Sequence, residues 1–200
     1  MDAFFDWFSA NLSRIFEIVG FVLGLLYLYY EFKAKNAVWI IGIIMPMISM
    51  TLYYRKGIYA DFGINFYYLI IAIYGLWHWR HGGESKTERK ISHASVSVII
   101  GCVSMMILLW LALYLILTNF TDSTVPVPDA FTTALSIVGS WMLAKKYVEQ
   151  WIVWIVVDIV SVGLYLYKGI PFYAALNIVY TIVAIFGYKH WLQKMHQQTV

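Results

Sequence analysis

Charge is scarce in this chain. Asp, Glu, Lys and Arg together supply 12% of its 200 residues, about half the share of an ordinary soluble domain, whereas hydrophobic residues reach 62%. That balance argues against a soluble catalyst, and a net charge of +3 is too small and too dispersed to serve a nucleic acid. Cysteine is nearly absent. The single Cys102 lies inside an apolar run, which excludes an internal disulfide and a thiolate metal site and reads as a small residue facing lipid or the core. The opening MDAFFDWFSANLS lacks the basic start and short apolar core of a cleaved secretory signal. Long polar segments are missing too, which leaves no room for a soluble sensor or output domain between the apolar runs.

Apolar runs of helical length take their place, repeatedly long enough to cross ~30 Å of hydrocarbon. Seven spans are predicted, at about 14–32, 36–54, 58–79, 95–118, 129–144, 149–167 and 170–188, making an all-α polytopic membrane protein. Lys and Arg set the orientation. With the N-terminus outside, Lys33, Lys35, Arg80, Lys86, Arg89, Lys90, Lys145, Lys146, Lys189 and Lys194 fall in cytoplasmic segments, and only Arg14, Arg55, Lys56 and Lys168 fall outside. The expected placement is therefore the plasma (inner) membrane, N-terminus out and C-terminus in.

An internal repeat is the strongest signal. Residues 37–79 and 149–191 align without a gap at an offset of 112, with 17 identities in 43 positions. The pairs include Trp39/Trp151, Ser49/Ser161, Tyr53/Tyr165, Gly57/Gly169, Asn65/Asn177, Tyr68/Tyr180, Gly75/Gly187, His78/His190 and Trp79/Trp191. The offset extends back to Lys33/Lys145, so each unit is read as three helices. The domain reading is one transmembrane domain over 1–200: repeat one about 14–80, a linker helix about 95–118 and repeat two about 129–192. The extra span gives both repeats the same direction in the membrane. Such parallel repeats in a 3+1+3 arrangement are a transporter plan, with a solute site near mid-membrane between the halves.

Asp158 stands in the middle of WIVWIVVDIVSVGLYLYKG, where a carboxylate costs ~2.5–3.5 kcal/mol unless it faces a polar interior. Trp151, Trp154, Asp158, Ser161 and Tyr165 are spaced to share one helical face, with Ile152, Val156, Ile159 and Val160 opposite. Asp61, Asn65 and Tyr68 form a second stripe whose repeat partners are Tyr173, Asn177 and Tyr180. Thr132, Thr133, Ser136 and Ser140 line the fifth span beside Trp141. Trp39 matches Trp151, but Pro46 stands where the second half has Asp158, so the site is asymmetric. Plainer readings stay open. Asp158 could bond a neighbouring helix, Trp151 and Trp154 could belong to an interfacial belt, and Asn65 and Asn177 could cross-link helices. Tyr53, Tyr165 and Trp79 read as helix-end anchors, Gly57 and Gly169 as turn glycines needing positive φ or close approach, and Pro46 as a kink. Glu84–Lys90 reads as a charged linker, and HWRHGG as a solvated loop end rather than a metal site.

Indoles, phenols, amides and one carboxylate suit a small polar solute with a flat ring, and a cationic ring gains ~0.5–2 kcal/mol from π faces. W-x2-W-x3-D-x6-Y-x-Y-K-G, at 151–169, resembles the sixth core helix of the Pnu vitamin transporters. YYRKGIYADFGINFYYLIIAIYGLWHW and WMLAKKYVEQW are similar to other parts of that family, and the likeness runs from about 15 to 192. The resemblance implies a SWEET-like 3+1+3 fold and import of a B-vitamin precursor, nicotinamide riboside first and thiamine a close second. It implies facilitated diffusion with trapping by a cytosolic kinase. It also implies substrate contacts at Trp151, Trp154, Asp158, Asn65 and Asn177, to which the helical stripes add Tyr68, Tyr180, Ser140, Ser136 and Trp39. Asn65 and Ser140 depart from the riboside importers, which tend to carry Gln at both places, and the wording of the motifs leans toward thiamine-type members. A SWEET-like sugar transporter is the more distant alternative. No cofactor, metal or nucleic acid is expected, and a homo-oligomer is left open. An intramembrane enzyme would need a catalytic partner for Asp158, and the sequence offers none.

Overall fold

The computed structural model describes residues 19–56, 59–84, 87–169 and 171–198, without the side chains at 52, 53, 55, 56, 59–61 and 172. Seven helices run through them and no strand forms among the described residues. They are α1 (Val19–Phe32), α2 (Ala37–Lys56), α3 (Tyr59–His81), α4 (Val96–Phe120), α5 (Pro126–Ala144), α6 (Gln150–Tyr167) and α7 (Pro171–Gln197). α4 and α6 are each long and apolar enough to cross a bilayer alone, and no residue of α4 is buried. Two ends differ from the predicted spans. α5 begins at Pro126 because Pro126 and Pro128, read as a break, sit in the first turn, where an N–H has no helical partner to lose. α7 continues past residue 188 to Gln197, since hydropathy marks where hydrocarbon ends rather than where a helix must. Positions 14–18, Gly57 and the Asp61 side chain lie outside the described residues.

The chain divides into two compact units, Met1–Leu76 and Trp77–Val200. In the first unit α2 comes close to both neighbours at Gly42, where an added Cβ would lie 3.3 Å from the Tyr27 ring and 3.4 Å from Ala72 Cβ. One turn earlier, the buried Trp39 lies flat on Gly75 of α3. A Cβ at Gly75 would stand 2.5 Å from the indole.

The second unit repeats that contact. α4 packs on α5, α5 on α6 and α6 on α7. Trp151, 1% exposed, lies on Gly187, where a Cβ would meet the indole at 2.8 Å. The identities 39/151 and 75/187 are thus two halves of one packing solution: a glycine removes its side chain so that an indole can cover the backbone. Trp191 meets Trp151 edge-on at 5.8 Å and Trp79 at 6.0 Å, and Trp79 Nε1 donates to the Leu143 carbonyl (3.0 Å). On the other side of α5, Ala94, Val138 and Met142 form a small core with Cys102, Met106 and Leu109 of α4.

The repeat also governs how helices end. Lys35 N–H reaches Tyr30 O while Ala34 N–H reaches Glu31 O; 112 residues on, Tyr147 N–H reaches Met142 O and Lys146 N–H reaches Leu143 O. Both are Schellman caps, with Ala34 (φ 50°) and Lys146 (φ 62°) in the left-handed position that glycine usually takes. Gly169, expected to have positive φ, has φ 70°.

Residues 87–95 form a strap tied to the second cap. Ser92 N–H donates to Lys146 O, Val148 N–H to Ser92 O, and Arg89 N–H to Trp79 O. Glu149 accepts from Ala94 N–H at 2.9 Å and pairs with His93 at 2.6 Å. Lys146 is only 2% exposed, with Nζ 4.4 Å from the Trp79 ring centre and 3.0 Å from Glu88. The segment read as a plain charged linker therefore supplies the counter-charge of a buried ammonium. Burial pushes the Lys146 pKa below the usual lysine value, opposed by the Glu88 hydrogen bond and charge, while Lys194 and Arg89 lower it further.

Two outcomes follow for the purified protein in detergent. Gly187→Ala should lose ~1–3 kcal/mol in thermal unfolding, the cost of forcing atoms into a filled space, whereas Gly101→Ala, in open space on α4, should lose nothing. Glu88→Gln should cost about 1 kcal/mol or less near neutral pH, because Glu88 is largely exposed. The sign is set by Lys146. Its charge needs Glu88 only below its own lowered pKa, so the gap between wild type and variant should close as pH rises toward 10.5. A gap constant with pH would mean the ion pair is not what the variant loses.

Candidate functional site

The second unit gathers most of the candidate side chains around α6. At ~100° per residue, the buried Gln150, Trp151, Val157, Asp158, Ser161 and Leu164 share one arc of this helix, and Ile152, Val156 and Ile159 lie exposed on the other. Trp154 belongs to the buried arc. Its indole passes α5 at Gly139, where a Cβ would lie 3.6 Å from the ring, and Val153 comes within 3.1 Å of the same point. Gly139 therefore makes room for the α6 face, and the neighbouring Ser140 is buried with it.

Asp158 is 7% exposed, and among the described residues no hydrogen bond or ion pair holds its carboxylate. The Tyr180 phenol of α7 is within electrostatic reach. Two of the hydroxyls expected at the site have their donors turned elsewhere, and Asn177 has one of its two amide N–H groups so used. Ser136 Oγ donates to Thr132 O (2.8 Å), Ser140 Oγ to Ser136 O (2.7 Å) and Asn177 Nδ2 to Tyr173 O (2.8 Å). Those hydroxyls remain acceptors only, since a single O–H cannot donate twice. Trp151 is packed between Gly187 and Trp191, a setting that its counterpart Trp39 shares on Gly75.

The remaining candidates belong to the first unit. Asn65 and Tyr68 are half-buried on α3, and Trp39 is buried on α2. Glu31, a buried carboxylate near the end of α1, was not singled out from the sequence; it lies in electrostatic reach of Tyr27, as Tyr68 does. At the end of an apolar run a Glu looks like an interfacial residue, and only tertiary packing reveals its burial. Gln150 was missed for the same reason. The one available signal was its spacing of four residues before Trp154.

Chemically, the inner arc of α6 offers an indole and a carboxylate that no described residue bonds, with the Tyr180 phenol of α7 in electrostatic reach and no nucleophile–base pair among them. It suits reversible binding of a small ring-bearing solute. A family model for the nicotinamide mononucleotide transporter matches residues 14–193. The nicotinamide riboside transporter PnuC of Escherichia coli is 24% identical over 207 residues, covering 91% of this chain and 87% of that protein. The riboflavin/roseoflavin transporter RibM of Streptomyces davaonensis is 24% identical over 196 residues, covering 93% and 92%. A crystal structure of the vitamin B3 transporter PnuC shares the fold, with a TM-score of 0.70 at 23% identity over 95% of this chain and 86% of that one.

Proposed function

This chain belongs to the nicotinamide mononucleotide transporter family, multi-pass membrane proteins rather than enzymes, and from that premise we propose that it imports a B-vitamin precursor of the nicotinamide riboside class. The observation that carries the reading is Asp158, a nearly buried carboxylate at mid-helix with no group bonded to it among the described residues. A carboxylate so placed is costly unless something polar or cationic arrives to meet it. The relatives point the same way: PnuC of Escherichia coli is named for nicotinamide riboside, and RibM for riboflavin and roseoflavin.

In this reading the pyridinium ring sits by the Trp154 face, its positive charge toward Asp158, while Tyr180 and Ser140 serve the polar remainder. Asn65, Tyr68, Asn177, Ser136, Trp39 and Trp151 complete the proposed set, the two tryptophans chiefly as packing. One transporter domain with repeats at 14–80 and 129–192 and a linker helix at 95–118 moves the solute down its gradient. The basic end that carries Lys146 faces the cytoplasm, where a kinase traps the solute by phosphorylation. Thiamine is the second reading. It is likewise a ring cation, and the short Asn65 and Ser140, where riboside importers resemble one another in carrying Gln, favour it.

Titration of the purified protein by tryptophan fluorescence or calorimetry against nicotinamide riboside, thiamine and riboflavin decides among them. Asp158→Ala should weaken binding of a cationic solute by about 1.5–3 kcal/mol, the worth of a hydrogen bond to a charged group, and of neutral riboflavin far less. Equal losses for both would make Asp158 a structural group. Uptake into proteoliposomes should be indifferent to an imposed pH gradient; accumulation driven by protons would rule out facilitated diffusion.

A further inference from the structure

Gln150 opens α6 and is completely buried, yet among the described residues neither Oε1 nor Nε2 has a hydrogen-bond partner. Two more buried donors without partners follow on the same two turns, Trp151 Nε1 and Trp154 Nε1. Buried polar atoms are nearly always bonded, so four orphans on one stretch of helix call for an explanation. Packing does not supply one. The repeat places Val38 where the second half has Gln150, and Val38 is buried just as fully. The equivalent buried place in the first half is thus filled by an aliphatic side chain, and the amide is what the second half adds.

The asymmetry of the repeat has a pattern. Along the buried arc of α6, Gln150, Trp154 and Asp158 stand four residues apart, and their counterparts are Val38, Gly42 and Pro46. The residues around them that hold helices together are kept: Trp151 as Trp39 and Gly187 as Gly75. Three of the positions at which the halves differ thus supply an amide, an indole and a carboxylate on one line.

We propose that Gln150 is a specificity residue whose amide pairs with a neighbouring donor and acceptor on the edge of the solute's ring, such as a carboxamide or an aminopyrimidine. The inference rests on the transport reading above and deepens it. Oε1 takes the ring substituent's N–H, Nε2 gives to its acceptor, and the Trp154 N–H is left for a second acceptor on the solute. A ring that lacks the donor leaves Oε1 buried and unbonded, and that penalty is the source of the discrimination.

The test compares nicotinamide riboside with the riboside of 3-acetylpyridine, which keeps the acceptor and replaces the amino group by a methyl, on wild type and Gln150→Leu. Wild type should prefer the carboxamide by roughly tenfold or more. Gln150→Leu should bind the two ribosides alike, while unliganded it should melt no lower than wild type, because leucine removes an unbonded amide without changing volume much. A preference retained in Gln150→Leu, or an unliganded variant melting several degrees lower, overturns the proposal. Wild-type protein that binds neither riboside sinks the nicotinamide riboside reading instead. The melting comparison still judges Gln150 in that case: a large drop marks a structural amide, and an equal or higher melting point supports a ligand group.

Discussion

An indole resting on bare backbone is the contact on which each half of this protein depends. In hydrocarbon the hydrophobic effect gives helices no reason to associate, and close packing with small residues must do it. Trp39 on Gly75 and Trp151 on Gly187 are that packing in its tightest form, since an added Cβ would fall inside contact distance of the ring in both. Trp191 and Trp79 extend it in the second unit, and Trp79 anchors to the last turn of α5 through Leu143 O. The position of α6 against α7 follows from this clamp, and with it the direction in which Asp158 faces.

Because the clamp is repeated, the rest of the duplicated surface was free to diverge. The first unit has Val38, Gly42 and Pro46 where the second has Gln150, Trp154 and Asp158. Gly42 lets α1 and α3 come within contact distance of α2. Trp154 instead projects toward Gly139 of α5. One half spends these positions on helix contact and the other presents polar chemistry.

The strap at 87–95 is a second break in the symmetry. Both repeats end a helix with the same Schellman cap, but Ala34 leaves nothing to satisfy, whereas Lys146 carries an ammonium into a buried place. A buried charge must be paired or solvated. Glu88 and the Trp79 face meet that requirement, and the backbone bonds of Ser92, Val148 and Arg89 hold the strap where Glu88 can reach. The strap thereby also closes over the α5–α6 turn.

Much of this was legible in the chain. Helix number and approximate ends, the 112-residue offset, the inward stripe of α6 and the positive φ of Gly169 all arise from periodicity, local backbone sterics and composition, which act between neighbours in sequence. Gly75 and Gly187 could be recognised as equivalent, but not as seats for an indole. In the sequence Lys146 counted only as a cytoplasmic cation, Gln150 drew no notice, and Ser136, Ser140 and Asn177 stood as site candidates with no partner assigned. Each of these turned on a partner, or the lack of one, that packing decides. Local sequence determined which faces are apolar and where chains can turn; tertiary structure alone decided which polar atoms are bonded, because hydrogen-bond partners and buried space come from segments far apart along the chain.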